Sequence, residues 1–231
     1  MTNFEENLLI GIVSGTVAGL VVYFIQLFVS KKAEKKERKE KKKVGKKTDK
    51  YIDEDFIYNY LPQNFGIDKI LEDFGQPIQK IEDTVTIKWD DNRTRELTIY
   101  QYKFINAVVL FSTFKDESTV ISVTINSNYN KSHPVKFSFA FAGKDVYFGQ
   151  AKINDEIINN KIDFETQSYV NWGYAAIRAK FFYREIKYLT FTYVVCDIVD
   201  SENEMKDKVI DQLCISGNED VYPIIYFYDM I

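Results

Sequence analysis

Histidine occurs once in the 231 residues, cysteine twice and tryptophan twice, beside four prolines and ten glycines. Two cysteines cannot build a disulfide framework, and one histidine leaves little room for a zinc centre or a His-based triad. So little proline and glycine, in a chain 45% hydrophobic and 28% charged, excludes collagen-like, low-complexity and wholly disordered readings. There is no Gly-x-Ser-x-Gly elbow, P-loop, dinucleotide fingerprint, His-Glu-x-x-His or Cys-x-x-Cys. His133 precedes Pro134 in a loop-like stretch and reads as a structural or surface histidine. No catalytic residue, metal or cofactor is expected.

The net charge of −4 averages opposite regions. The first thirty residues carry −2 and residues 31–50 carry +8, which leaves −10 for 51–231. A domain this acidic repels nucleic-acid phosphates, so no DNA binding is expected.

Leu8 to Val29 holds no charged residue over 22 positions. As a helix it spans ~33 Å, enough for a bilayer core of ~30 Å. An acidic N-terminus and bulky residues at the end of the run (Phe24, Ile25, Leu27, Phe28) favour an uncleaved anchor over a signal peptide. Cations begin at Lys31 and are absent before the run, so the C-terminal side is expected in the cytoplasm of a bacterial inner-membrane protein. Cys196 and Cys214 fit a reducing compartment, or are simply small core residues. Gly11, Gly15 and Gly19 recur every four residues; a helix face without side chains lets a second backbone approach, so a homo-oligomer is expected.

Residues 31–50 read KKAEKKERKEKKKVGKKTDK. Glu34/Arg38 and Glu37/Lys41 have the favourable i,i+4 orientation of a charged helix. Lys31, Lys32, Lys35, Lys36, Arg38 and Lys39 are expected to lie on anionic headgroups, or to form a plain charged stalk.

Beyond Tyr51 the pattern is that of an α+β domain, mainly antiparallel sheet with a few short helices. The expected organisation is thus anchor 1–30, stalk 31–50 and domain 51–231, with a seam near 127–132. Tyr51–Leu61 is a short amphipathic stretch ended by Pro62. Ile67, Ile70, Leu71 and Phe74 share one face of a helix that Gly75 stops. The period then drops to two: Val85, Ile87 and Trp89 alternate with polar residues, and strands are predicted over Leu97–Phe104, Ala107–Phe114 and Val120–Asn126. Loops this short imply antiparallel neighbours. The second half predicts strands Val135–Ala142, Asp145–Ile153, Asp163–Val170, Tyr174–Tyr183 and Ile186–Cys196, a helix Val199–Leu213 and a last strand Val221–Tyr228. No sequence repeat is evident.

Gly66-Ile67 … Phe74-Gly75-Gln76-Pro77 and the alternation that follows resemble the SmpA/OmlA-type module over residues 60–126. The resemblance implies a local topology only, a helix ending in a Gly-x-Pro corner before a short antiparallel sheet. It carries no functional residue, since that family is anchored through a cysteine this segment lacks.

Two constellations stand out. Asp163 with Glu185 and Lys187 has the acidic-then-Glu-x-Lys form by which many nucleases hold a divalent metal, although cross-strand pairing explains it equally. Tyr169, Trp172, Tyr174, Arg178 and Lys180 mix aromatics with the few cations of an acidic domain, a set able to stack a base and neutralise a phosphate.

Acidic N-terminus, Gly-rich helix, basic stalk and cytosolic β-rich domain together look like the single-pass membrane effectors of bacterial antiviral defence. That resemblance implies a domain that senses a small nucleotide or a partner protein and acts by assembly in the bilayer, without turnover. The rival classes are a membrane-tethered, metal-dependent hydrolase built on Asp163, Glu185 and Lys187, and a membrane scaffold.

Overall fold

The computed structural model describes residues 49–88, 90–126, 135–138, 145–147, 150–168, 173–183 and 187–223, with the backbone alone for 54, 136–138, 145–147, 181–183 and 187. All belong to the compact unit Gly45–Ile231.

Two short helices open this unit. In α1 (Glu54–Asn59) the Asp53 carboxylate accepts from the Phe56 N–H at 3.0 Å, a side-chain N-cap. Helix α2 (Ile67–Phe74) buries Ile67 and Ile70, as the spacing predicts, and ends on Gly75 at φ 75°. That left-handed φ suits glycine, which has no Cβ to clash. Rings from both helices pack on the sheet: Phe56 lies 5.4 Å and Phe74 5.1 Å from Phe104, between centroids.

A meander follows: β1 (Gln79–Ile87), β2 (Arg93–Lys103), β3 (Val108–Phe114) and β4 (Val120–Asn126), each antiparallel to the next. A hairpin of β5 (Lys136–Ser138) and β6 (Asp145–Tyr147) intervenes. The second half then repeats the plan, with helix α3 (Asp155–Asn159) before strands β7 (Lys161–Ser168), β8 (Gly173–Tyr183) and β9 (Lys187–Val195). After a helical turn α4 (Glu202–Met205), the chain forms β10 (Gln212–Ser216). The sheet order is β1-β2-β3-β4-β10-β9-β8-β7.

Two helix-plus-four-strand units are therefore joined through their last strands. The β4–β10 register is symmetric about Thr124–Cys214, with Ser122 opposite Ser216 on one side and Asn126 opposite Gln212 on the other. The entry to each helix is pinned the same way. Val120 N–H donates to Phe65 C=O (3.0 Å) and Ile67 N–H to Ser118 C=O (2.8 Å). In the second unit Ile210 N–H donates to Ala151 C=O (2.8 Å) and Ile153 N–H to Lys208 C=O (2.9 Å). A backbone repeat is present where the side chains show none.

The helices cover one face of the sheet over a core that includes Ile70, Phe104, Phe111, Tyr193 and Leu213. Strands β3, β4 and β10 are buried on both faces.

The structure corrects several expectations. The described residues form an α+β domain with an eight-stranded antiparallel sheet, and among them no helix is long and apolar enough to cross a membrane, against the expected transmembrane helix. The single-pass inner-membrane localisation, the bilayer and homo-oligomer partners, and the effector, tethered-hydrolase and membrane-scaffold readings rested on such a helix, which the described residues do not contain. Leu8–Val29, Gly11, Gly15 and Gly19, and Lys31, Lys32, Lys35, Lys36, Arg38 and Lys39 lie outside the described residues, as do His133 and Trp89. The helix expected over Val199–Leu213 is only α4. Asp207 sits at φ 64°, off the helical path, and Leu213 and Ile215 face the helices from a central strand. Helix α3 went unpredicted; Asn154 caps it by accepting from Ile157 N–H at 2.9 Å. Val221–Pro223, expected to begin a strand, has no regular structure, and 224–231 lies outside the described residues.

Candidate functional site

The face of the sheet away from the helices is polar at its centre. Side chains alternate along a strand, so Val123, Ile125, Leu213 and Ile215 on the helix side place Ser122, Thr124, Cys214 and Ser216 on the other. Ser112, Ser122, Ser216 and Thr190 stand directly opposite one another across β3, β4, β10 and β9. The neighbouring row runs Thr124, Cys214, Thr192, Arg178, Asp163. Apart from Asp163, all these side chains are buried. Ser112 Oγ and Thr192 Oγ1 have no hydrogen-bond partner among the described residues. Burial pushes the Cys214 thiol up to about 12, against the pull of hydrogen bonds with Thr124 and Ser122.

Residues 217–223 form a strap over this face, held by polar contacts. Thr124 Oγ1 donates to Pro223 C=O (2.7 Å) and Arg178 Nη1 to Glu219 C=O (3.0 Å). Lys88 N–H donates to Asp220 Oδ2 (2.9 Å), and Lys180 Nζ lies 3.3 Å from Glu219 Oε2. The Tyr222 hydroxyl donates to Glu165 Oε2 (3.1 Å) and the Tyr174 hydroxyl to Glu165 Oε1 (2.7 Å). Burial raises the Tyr222 hydroxyl above its ordinary value; nearby Arg178 opposes the shift and Glu165 adds to it.

Beside the strap lies a cleft of about 460 Å³. Its floor is aliphatic, with Ile81, Val85, Leu97, Ile99 and Leu110 from β1–β3; Glu165 and Tyr174 come from the opposite margin of the sheet, and Asp220–Pro223 from the strap. Two margins of one sheet can line a single cleft only if the sheet curls, as right-handed twist favours.

Of the residues singled out from sequence, Tyr174, Arg178 and Lys180 share this face of β8. Tyr169 and Trp172 lie outside the described residues. The expected nucleotide partner is corrected by what Arg178 does: it is ion-paired with Asp163, bonded to the Glu219 carbonyl and stacked on Tyr222 at 4.2 Å. Its charge is already compensated, and the cleft beside it is lined by carboxylates that repel phosphate.

Of the Asp163/Glu185/Lys187 set, Asp163 and Lys187 stand apart on their strands. Asp163 pairs with Arg178, whereas Lys187 pairs with Tyr183, five residues further along β8 and so roughly 17 Å away. Glu185 lies outside the described residues, and among those described no cluster of metal-ligating side chains occurs. Sequence reading missed Asp83, Glu165, Asp220 and Tyr222. No local pattern marks them, because only the curl of the sheet brings them to one cleft.

Comparison with protein-family models, with curated proteins and with solved structures gives no match. The resemblances to the SmpA/OmlA-type module and to membrane effectors of antiviral defence are corrected accordingly. The helix-then-meander order over Ile67–Asn126 stands as topology alone.

Proposed function

We propose that this chain is a binding protein, acting without turnover, whose ligand enters the cleft between β1–β3 and the strap. The observation that carries this reading is the convergence of both sheet margins and the strap on one cleft of about 460 Å³, within the range of small-molecule sites. An aliphatic floor supplies affinity through burial, and the few polar groups at its rim supply orientation. Binding is favoured over chemistry because two of the cleft's three carboxylates are committed structurally. Glu165 accepts from two tyrosine hydroxyls, and Asp220 accepts from the Lys88 N–H. Tyr174 forms part of the wall, while Arg178 and Lys180 hold the strap that closes it.

The test is a ligand-observed NMR screen of a fragment library against the full chain and its Val85→Trp variant. Val85 is half-buried and lines the cleft, so an indole there fills the space from the floor. Fragments that bind the parent chain and are lost in Val85→Trp support the reading. No binding, or binding indifferent to this substitution, overturns it.

A further inference from the structure

We infer that the ligand of this cleft is a small organic cation, an ammonium or guanidinium head on an apolar body; the inference rests on the cleft being the binding site. Charge complementarity carries it. Asp83, Glu165 and Asp220 line the cleft, and none of its lining residues is Lys, Arg or His. The surroundings carry the same sign, since residues 51–231 hold a net −10, and a low-dielectric cleft concentrates such a field.

The geometry separates the two halves of the ligand. Ile81, Val85, Leu97, Ile99 and Leu110 form a continuous aliphatic floor from three adjacent strands, and packing against this cluster leaves Ile81 and Val85 only half-buried. The carboxylates stand around that floor. Each Glu165 oxygen receives one tyrosine hydroxyl, at 2.7 and 3.1 Å, and a carboxylate oxygen can accept a second donor. Those hydroxyls also fix the carboxylate, so little freedom is lost when a cation arrives. Asp83 is exposed at the rim and accepts only from the adjacent Thr84 N–H among the described residues, at 2.7 Å.

The alternatives fare worse on the same contacts. A neutral apolar ligand would desolvate the carboxylates without compensation. An anion would meet like charges. A bare metal ion would leave the aliphatic floor in water.

The probes are phenethylammonium, phenethyl alcohol and phenylpropionate, matched in size and differing in charge, titrated calorimetrically into the full chain. Phenethylammonium is expected to bind about tenfold more tightly than the alcohol, the worth of one charge-assisted hydrogen bond, and phenylpropionate not to bind. The preference should shrink in added salt and in Asp83→Asn, an exposed substitution that leaves the core alone, and shrink further in Glu165→Gln. Equal binding of ammonium and alcohol, both abolished by Val85→Trp, would overturn the cation while the cleft stands. No binding of any probe, or binding unaffected by Val85→Trp, would overturn the cation and the cleft together.

Discussion

The guanidinium of Arg178 stands 4.2 Å from the centroid of the Tyr222 ring, and this stack fastens the strap to the sheet. The same guanidinium is ion-paired with Asp163 on β7 and donates to the Glu219 carbonyl. One side chain on β8 thereby couples an edge strand to the segment that closes the cleft. The strap is thus held by a few directional bonds together with Val221, which is buried in the apolar cluster of Ile87, Leu97, Ile99 and Leu110.

Strap release is therefore expected to be measurable through Cys214, which is fully buried between Thr124 and Thr192. In a Cys196→Ser background, Tyr222→Leu keeps an apolar side chain but removes the stack and the bond to Glu165. A loss of about 1–2 kcal/mol should speed Cys214 modification by a thiol reagent roughly 5- to 30-fold. An unchanged labelling rate would show that the strap is held elsewhere.

Thr192 invites a substitution with the opposite sign. Its hydroxyl is buried without a partner among the described residues, a burden of about 1–3 kcal/mol. Thr192→Val keeps the shape and removes that group, so stability in denaturant should be unchanged or higher by up to about 1 kcal/mol. A clear loss would mean that the hydroxyl has a partner in the native protein.

Ile70 tests the core. It is fully buried on α2, beneath the aromatic cluster, and Ile70→Ala should cost about 2–5 kcal/mol. A cost below about 0.5 kcal/mol, typical of surface sites, would place that helix face wrongly.

Acid stability follows from Asp73. Hydrogen bonds from Lys69 (2.8 Å) and then Tyr60 (2.7 Å) hold its carboxyl below the ordinary carboxylate value. A depressed carboxyl contributes stability above its unfolded pKa and loses it as pH falls through the native one. Unfolding free energy should thus decline below about pH 4, and Asp73→Asn should flatten that acid limb while lowering stability at neutral pH. An identical pH profile in both proteins would remove Asp73 from the account.

Local chemistry was legible along the chain. The span Ile67–Phe74 follows from apolar spacing and a glycine that can adopt a left-handed φ, and Val120–Asn126 from β-branched residues bounded by a turn. The shared face of Tyr174, Arg178 and Lys180 follows from the two-residue period of a strand. Each depends on residues close in sequence, where spacing and geometry correspond directly.

Tertiary structure decided the rest. Gln212–Ser216 reads poorly as a strand because it is only five residues long and its Leu213 also continues the helical spacing of Val209 and Ile210; pairing with β4 and β9 makes it one. The two helix-plus-sheet units are a property of backbone hydrogen bonds, which many side-chain sequences satisfy equally. The cleft exists because a twisted sheet curls until Asp83 on β1, Glu165 on β7 and Asp220 on the strap meet. Those carboxylates are far apart in sequence, and only long-range packing makes them neighbours.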